Sequence, residues 1–274
     1  MEEGAEKAGE GSVFLAAVAD IHAPRHLGLF REALEAMLAE HGQPALMLLV
    51  GDMVEKNAHQ QMASVLEALE ASGLECPILA CFGNEEYEES REVYLAYERV
   101  RWLDDEAVVL ELGGLRVGVV GSRGALDRPT WWQRTHIKGI RAIYRRRVRR
   151  VRELLAGLRA DVVVVMTHYA PTYRTLQGER ERIWPEMACR AFEAVILEHA
   201  PHLWLHGHAH NASVLEAQIG DTLVVNVSLP ARKAIYVADV AELARRKRRP
   251  RGLEVFIGAH GQRERGRCAG DPGL

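Results

Sequence analysis

Val13-Phe-Leu-Ala-Ala-Val-Ala-Asp-Ile-His22 is an apolar run that stops at two metal-capable side chains. Ala45-Leu-Met-Leu-Leu-Val-Gly-Asp52 and Pro77-Ile-Leu-Ala-Cys-Phe-Gly-Asn84 repeat the pattern. Between the three runs, His26 to His41 and His59 to Ser72 read as amphipathic helices. This β-α-β-α-β alternation of buried strands and turn residues predicts a parallel sheet covered by helices on its faces. Open α/β folds bind ligands beyond the carboxyl ends of their strands. Asp20, His22, Asp52 and Asn84 all fall there.

Further along, Ala107 to Leu112 and Leu115 to Gly121, joined by Gly113-Gly114, read as a hairpin. Asp127 to Leu158 is mostly helical, and Asp161 to Thr167 returns to the buried-strand pattern and ends at His168. After a helix over Glu186 to His199, the strand Leu203 to Leu205 runs into Gly207-His208-Ala209-His210. Ser213 to Ile219, Thr222 to Val227, Ala234 to Ala238 and Leu253 to Ile257 complete the strands. The expected fold is α/β, with two sheets packed together and helices outside. Residues 13–258 form one domain in this reading, behind a disordered leader over 1–12 and ahead of a flexible tail over 259–274.

Composition narrows the function classes. The 274 residues are 48% apolar and 27% charged, enough to bury one large core. The first twelve residues lack the apolar core of a signal peptide, and no apolar run approaches the length of a membrane span. A soluble protein without a membrane partner is expected. Cys76, Cys81, Cys189 and Cys268 show no C-x-x-C spacing, which excludes a zinc ribbon and a disulfide scaffold and points to a reducing cytoplasm. The net charge of −3 hides an asymmetry: seven basic and 23 acidic residues up to Leu112, against 28 and 15 after it. That split describes a polar charge distribution rather than a uniformly basic surface.

Asp20, His22, Asp52, Asn84, His168, His208 and His210 offer carboxylate, imidazole and amide donors and no thiolate. Such a set suits Mn²⁺, Fe²⁺/³⁺ or Zn²⁺. Strand periodicity places Asp20 and His22 on one face with Ile21 turned to the core, and His208 and His210 likewise across Ala209. Gly51, Gly83 and Gly207 leave room for sharp turns beside the ligands. Taken singly, each motif is more often a turn or a core histidine than a ligand; the ordered set makes the metal reading.

The series D-x-H, G-D, G-N, H and G-H-x-H over Asp20 to His210 resembles the calcineurin-like metallophosphoesterases. The resemblance implies two mixed β-sheets sandwiched between helices. It assigns Asp20, His22 and His210 to a first metal and Asn84, His168 and His208 to a second, with Asp52 bridging. It implies phosphate-ester hydrolysis by a metal-bridging hydroxide, with Asn84 and His168 at the catalytic centre. Two cations ~3.5–4 Å apart can activate water at neutral pH and neutralise phosphate oxygens during in-line attack.

One position departs from the family pattern G-N-H-[DE], which here reads Gly83-Asn84-Glu85-Glu86. An ionised Glu85 repels an anionic substrate and donates no proton, unless burial or a neighbouring phosphate raises its pKa. The expectation is therefore a phosphodiesterase favouring acidic leaving groups, with Glu85 at the position of the missing histidine, or with His26 or His59 substituting. The alternative from another class is a metal-binding scaffold of the same fold that has lost turnover.

Three side chains are candidate substrate contacts: Arg123 at the end of the hairpin, and Tyr173 and Arg174 after His168. His206 is read as a residue behind the ligands or in the core. Arg141, Arg145, Arg149 and Arg152 line up at helical spacing beside an apolar stripe, with Arg146, Arg147 and Arg150 adding charge. A solvated amphipathic helix is the plain reading, and a phosphate-attracting rim or nucleic-acid contact the sharper one. Arg245 to Arg251 is expected to be a basic loop between strands. No oligomeric state is assigned.

Overall fold

In the computed structural model, strand β1 (Phe14–Val18) pairs in parallel with β2 (Leu46–Val50), and β2 with β3 (Ile78–Cys81), as the spacing of the apolar runs predicts. The structure describes residues 13–246. The leader over 1–12, the strand over Leu253 to Ile257 and the tail over 259–274 lie outside the described residues.

The helices α1 (Leu27–His41) and α2 (Gln61–Ala71) connect these strands. A short helix α3 (Arg91–Leu95) leads to β4 (Arg101–Trp102), which extends the sheet beside β3. The hairpin β5 (Glu106–Leu112) and β6 (Leu115–Ser122) opens the second sheet. Helices α4 (Trp131–His136) and α5 (Ile140–Gly157) lead to β7 (Val162–Thr167), and α6 (Ala191–His199) to β8 (Leu203–His206). Strands β9 (Glu216–Ile219) and β10 (Thr222–Asn226), helix α7 (Leu229–Arg232), β11 (Tyr236–Asp239) and α8 (Val240–Arg245) follow. The strand orders are β11-β1-β2-β3-β4 and β5-β6-β7-β8-β10-β9. Each sheet is parallel in its centre, with β11, β5 and β9 antiparallel at the edges.

Alternation along the strands builds four layers. Leu15, Ala17, Leu46, Leu48 and Leu79 of the first sheet meet Val117, Val119, Val162, Val164 and Leu203 of the second in a shared interior. The other face of the first sheet, including Ala16, Val18, Met47 and Leu49, packs on Phe30, Leu34, Met62 and Val65 of α1 and α2. Val163, Val165 and Trp204 on the outer face of the second sheet pack on Tyr144, Val151, Phe192 and Val195 of α5 and α6. Burying each Val or Leu is worth ~1.5–3 kcal/mol, so both faces of both sheets are driven inward. The observed order is helix, sheet, sheet, helix, as expected.

Several boundaries differ from the sequence reading. The helix expected over Glu186 to His199 begins at Ala191, because the chain before it pairs with the segment after His168: the Ala170 N–H donates to Met187 O and the Cys189 N–H to Ala170 O. The helical stretch 127–158 breaks at Gly139, whose φ of 74° lies in the left-handed region that glycine tolerates. Arg245, expected in a loop, closes α8, which Asp239 caps by accepting from the Glu242 N–H. Lys247 to Arg251 lie outside the described residues. Among the described residues, no helix is long and apolar enough to cross a membrane.

Candidate metal centre

Beyond the last residues of β1 and β2 the chains keep pairing. The Asp20 N–H donates to Gly51 O, the His22 N–H to Asp52 O and the Ala23 N–H to Met53 O. The second sheet reaches the same place through Ala19, whose N–H donates to Val227 O, and through the Gly207 N–H, which donates to His168 O. These bonds hold the ends of β1 and β2 together, set the end of β1 against that of β10, and join the end of β8 to that of β7. Asp20, His22, Asp52 and His208 all have positive φ, between 43° and 68°. Non-glycine residues adopt that region rarely, and they do so at functional sites when the surroundings over-determine them.

This corrects the strand-parity argument. Asp20 and His22 converge because the backbone turns left-handed at both, not because a strand alternates through them; β1 has already ended at Val18. Ile21 between them is fully buried, as expected. His208 and His210 do not share an ion site: His210 stands with Asp20 and His22, and His208 with Asp52 and His168.

In each of these two groups the ligand atoms lie within 4.8 Å of one another. His210 Nε2 is 3.2 Å from Asp20 Oδ1 and 3.3 Å from His22 Nε2. His168 Nε2 lies 3.0 Å from Asn84 Oδ1 and 3.3 Å from Asp52 Oδ2, and the same Asp52 oxygen is 3.8 Å from His22 Nε2. Asp52 thus stands between the groups, and Asn84 joins the second. All seven sequence-predicted ligands come together.

Glycines permit this density. A Cβ at Gly51 would lie 2.7 Å from His168 Nδ1, one at Gly207 2.7 Å from Asp20 Oδ2, and one at Gly83 would overlap the Asp52 carboxylate. Remaining lone pairs are used: Asp20 Oδ2 accepts from the His208 N–H (2.9 Å) and Asp52 Oδ1 from the Glu85 N–H (2.8 Å). His168 Nδ1 sits 3.2 Å from Val50 O, a contact that needs the proton on Nδ1 and leaves Nε2 facing the ligands.

The cluster is charged and mostly buried. Burial opposes the charge on Asp20 and Asp52, yet the imidazoles, His210 foremost for Asp20 and His168 for Asp52, hold both carboxyls below their ordinary range. Burial also opposes a charged His168, but Asp52 and then Asp20 raise it to about 9, while burial and His168 push His208 down to about 3. Asp20 Oδ1 and His22 Nδ1 are buried without a hydrogen bond. Two carboxylates converging with four imidazoles and one amide oxygen, one carboxylate oxygen left without a hydrogen bond, fit a pair of divalent ions.

Glu86 is the functional residue that sequence reasoning missed. Its fully buried carboxylate accepts from the backbone N–H groups of Asp52 (2.9 Å), Met53 (2.6 Å) and Gly83 (2.7 Å), pinning the Asp52 turn to the Asn84 turn. Burial, and then the charge of Asp52, push its pKa up to about 7. The only sequence signal was its place as the acidic residue ending Gly83-Asn84-Glu85-Glu86. Glu85 itself is half-buried and engaged: Oε2 accepts from the Lys56 N–H (2.6 Å) and Oε1 from Asn84 Nδ2 (3.2 Å).

The other candidates are dispersed. Arg123 lies near the centre, donating from Nη2 to Glu86 O (2.9 Å) and lining the larger adjoining cavity. Tyr173 donates to Asp127 Oδ2 (2.8 Å) and Arg174 to Gln218 O (3.1 Å); neither lines the two cavities at the metal ligands. Their side chains are spent on holding loops. His26 packs edge-on to His22 at 6.3 Å, whereas the His59 carbonyl takes up the Tyr97 hydroxyl. His206 is buried against Thr175 Oγ1 at 2.8 Å, and burial lowers its pKa to about 4. Along α5, Arg147 and Arg150 contact Asp105, Arg149 pairs with Glu153 and Arg152 with Glu198. Three of the seven arginines thus pair with carboxylates of the chain.

The family model described as calcineurin-like phosphoesterase matches residues 15–212. Among solved structures, a phosphopantetheinyl hydrolase from Mycobacterium tuberculosis is similar with a TM-score of 0.55 at 14% identity, covering 81% of this chain and 92% of that one. A dimetal phosphatase from Danio rerio gives 0.55 at 12% identity, with 84% and 93% covered. GAP50, the anchor in the inner membrane complex of Plasmodium, gives 0.54 at 9%, with 81% and 73% covered. These likenesses establish the fold. No curated protein matches by sequence. The matched family model spans every one of the seven converging ligands, and the chain belongs to the calcineurin-like phosphoesterases, metal-dependent hydrolases of phosphoric esters.

Proposed function

We propose that the chain is a two-metal phosphodiesterase, with Asp20, His22 and His210 holding one divalent ion, Asn84, His168 and His208 the other, and Asp52 contacting both. The observation that carries this reading is the position of Asp52 Oδ2, within 3.3 Å of His168 Nε2 and 3.8 Å of His22 Nε2. Divalent ions held there, Mn²⁺, Fe or Zn²⁺ by donor type, supply Lewis-acid activation of water and charge neutralisation at phosphorus.

The chain's own residues supply shape and orientation. Cavities of about 390 Å³ and about 620 Å³ share Asn84, Glu85, Thr130, Glu186 and His208, so two adjoining spaces open at the ligand cluster. A diester has two organic arms, and this arrangement supports that preference over a monoester. Glu85 occupies the position of the family's histidine with both oxygens engaged, which supports a role in orienting Asn84 rather than in protonating a leaving group. Esters whose leaving group departs without protonation are then the better substrates. A reducing compartment belongs to the same proposal, supported by the free thiols of Cys76, Cys81 and Cys189.

The test is Mn²⁺-dependent hydrolysis of bis-p-nitrophenyl phosphate beside p-nitrophenyl phosphate, with Asp52→Ala as control. Faster turnover of the diester that vanishes in Asp52→Ala supports the proposal. A silent wild-type protein that gains turnover as Glu85→His would instead identify a scaffold.

A further inference from the structure

The larger cavity at the metal centre has one wall that the metal chemistry does not use. Helix α4 carries Trp131 and Trp132, 67% and 56% exposed, values unusual for the largest apolar side chain in a folded chain. Trp132 lines the cavity and Trp131 does not. The Trp132 indole is stacked on the His136 imidazole, with centroids 4.7 Å apart and planes 15° from parallel. His136 is fixed in turn, with Nδ1 2.9 Å from the Trp132 carbonyl.

The platform is tied to the residues beside the metal ligands. Thr130 and Gln133 form a reciprocal capping box at the start of α4. The Gln133 side chain also donates to the Tyr169 hydroxyl (3.2 Å). Tyr169 follows His168 in sequence and packs edge-on against His208 at 4.9 Å. An exposed ring pair anchored through one hydrogen bond to the residue after a metal ligand is placed to grip something bound at that metal. The same cavity is lined by Glu88 and Glu89, with Arg123 as its one arginine.

We infer that this cavity binds the organic arm of the substrate as a planar aromatic ring bearing amino groups, a nucleobase of the adenine type, stacked on Trp132. Any base offers a π-face to such a platform, and stacking is sequence-tolerant by itself. The Glu88 and Glu89 carboxylates accept from exocyclic N–H groups of such a ring. A nucleoside phosphodiester fits this lining. The inference rests on the phosphodiesterase reading for what happens after binding, but the binding itself requires only the chain.

The experiment separates the two. Metal-free protein is titrated calorimetrically with adenosine, which carries the ring and no phosphate, and with purine riboside, which lacks the amino group. Adenosine is expected to bind the wild type and Trp131→Ala alike, and to bind Trp132→Ala weaker by roughly tenfold or more. Trp132→Phe should recover most of the loss. The preference for adenosine over purine riboside should disappear in Glu88→Ala/Glu89→Ala. Equal binding by wild type and Trp132→Ala, no binding by the wild type, or tighter binding of choline than of adenosine would each overturn the inference. Adenosine binding by a protein inert toward bis-p-nitrophenyl phosphate would sink the phosphodiesterase reading and leave this one standing. Because Trp132 is exposed, an unchanged melting temperature in Trp132→Ala serves as the folding control.

Discussion

Asn84 and Glu85, adjacent in sequence, are also bonded through their side chains: the Asn84 amide nitrogen lies 3.2 Å from Glu85 Oε1 while the Asn84 oxygen faces His168 Nε2 at 3.0 Å. The carboxylate thereby fixes which end of the amide meets the metal ligands, since a flipped amide would set its oxygen against the Glu85 carboxylate. In Glu85→Ala this constraint is lost, and metal retention after dialysis should fall by ~10-fold or more, the range seen when a partner of a metal ligand is removed. Glu85→Gln keeps an oxygen acceptor and should retain metal. Its pH–rate profile should match the wild type, and a displaced or lost alkaline limb would restore Glu85 to the role of a titrating acid.

Glu86 carries more of the architecture than its neighbour. Glu86→Ala leaves the N–H groups of Asp52, Met53 and Gly83 buried without an acceptor. At ~1–3 kcal/mol each, the loss is about 3 kcal/mol or more. Glu86→Gln should fall only partly short of that, because its NH₂ would face N–H donors. Urea denaturation of the metal-free proteins ranks the three, and equal midpoints would contradict the assignment.

Close approach at Gly83 predicts an abrupt effect of one methyl group. Gly83→Ala drives Cβ into the Asp52 carboxylate, so metal binding should be abolished at both positions that Asp52 serves. Gly28→Ala, which meets nothing within 4 Å near the start of α1, should be neutral or stabilising by ~0.5–1 kcal/mol. Atomic absorption after gel filtration distinguishes the pair.

Metal addition should stabilise the fold measurably. Each ion at a hundred times its dissociation constant adds ~2.7 kcal/mol, which for a domain of this size moves the melting temperature by roughly 5–10 °C per site. EDTA should reverse the shift, and Asp52→Ala should show little of it. A wild-type melting curve insensitive to Mn²⁺ and to EDTA would exclude the site.

Thiol chemistry offers an independent check on packing. Burial pushes the Cys189 thiol up to about 12 and holds the Cys81 thiol well above its ordinary value, so the thiolate fraction of both at pH 8 is negligible. Mass-spectrometric mapping after iodoacetamide treatment of the folded protein should find both unmodified. Raising the pH from 7 to 9 should leave them so, whereas an ordinary exposed thiol would react faster across that interval.

The ligands were legible because each sits where an apolar run ends, and a run of Val, Leu and Ala fixes its own limits. The backbone that aims them was not, since left-handed conformations at Asp20, His22, Asp52 and His208 arise from pairing between segments distant in sequence. The same holds for Glu86, whose donors come partly from the Asp52 turn more than 30 residues away. Strand β4 has only two residues, too few to show periodicity, and is held by stacking of Trp102 on Phe82 at 4.4 Å. Tyr173 and Arg174 were named from their closeness in sequence to His168, but the loop turns both toward other partners.

The turn at Gly113-Gly114 divides the ligands as well as the hairpin: Asp20, His22, Asp52 and Asn84 precede it, and His168, His208 and His210 follow it. Neither portion alone owns a complete site, while their net charges are opposite in sign. Two fragments cut at this turn would attract one another and regain metal only when both sheets close, so that metal uptake becomes a reporter of reassembly.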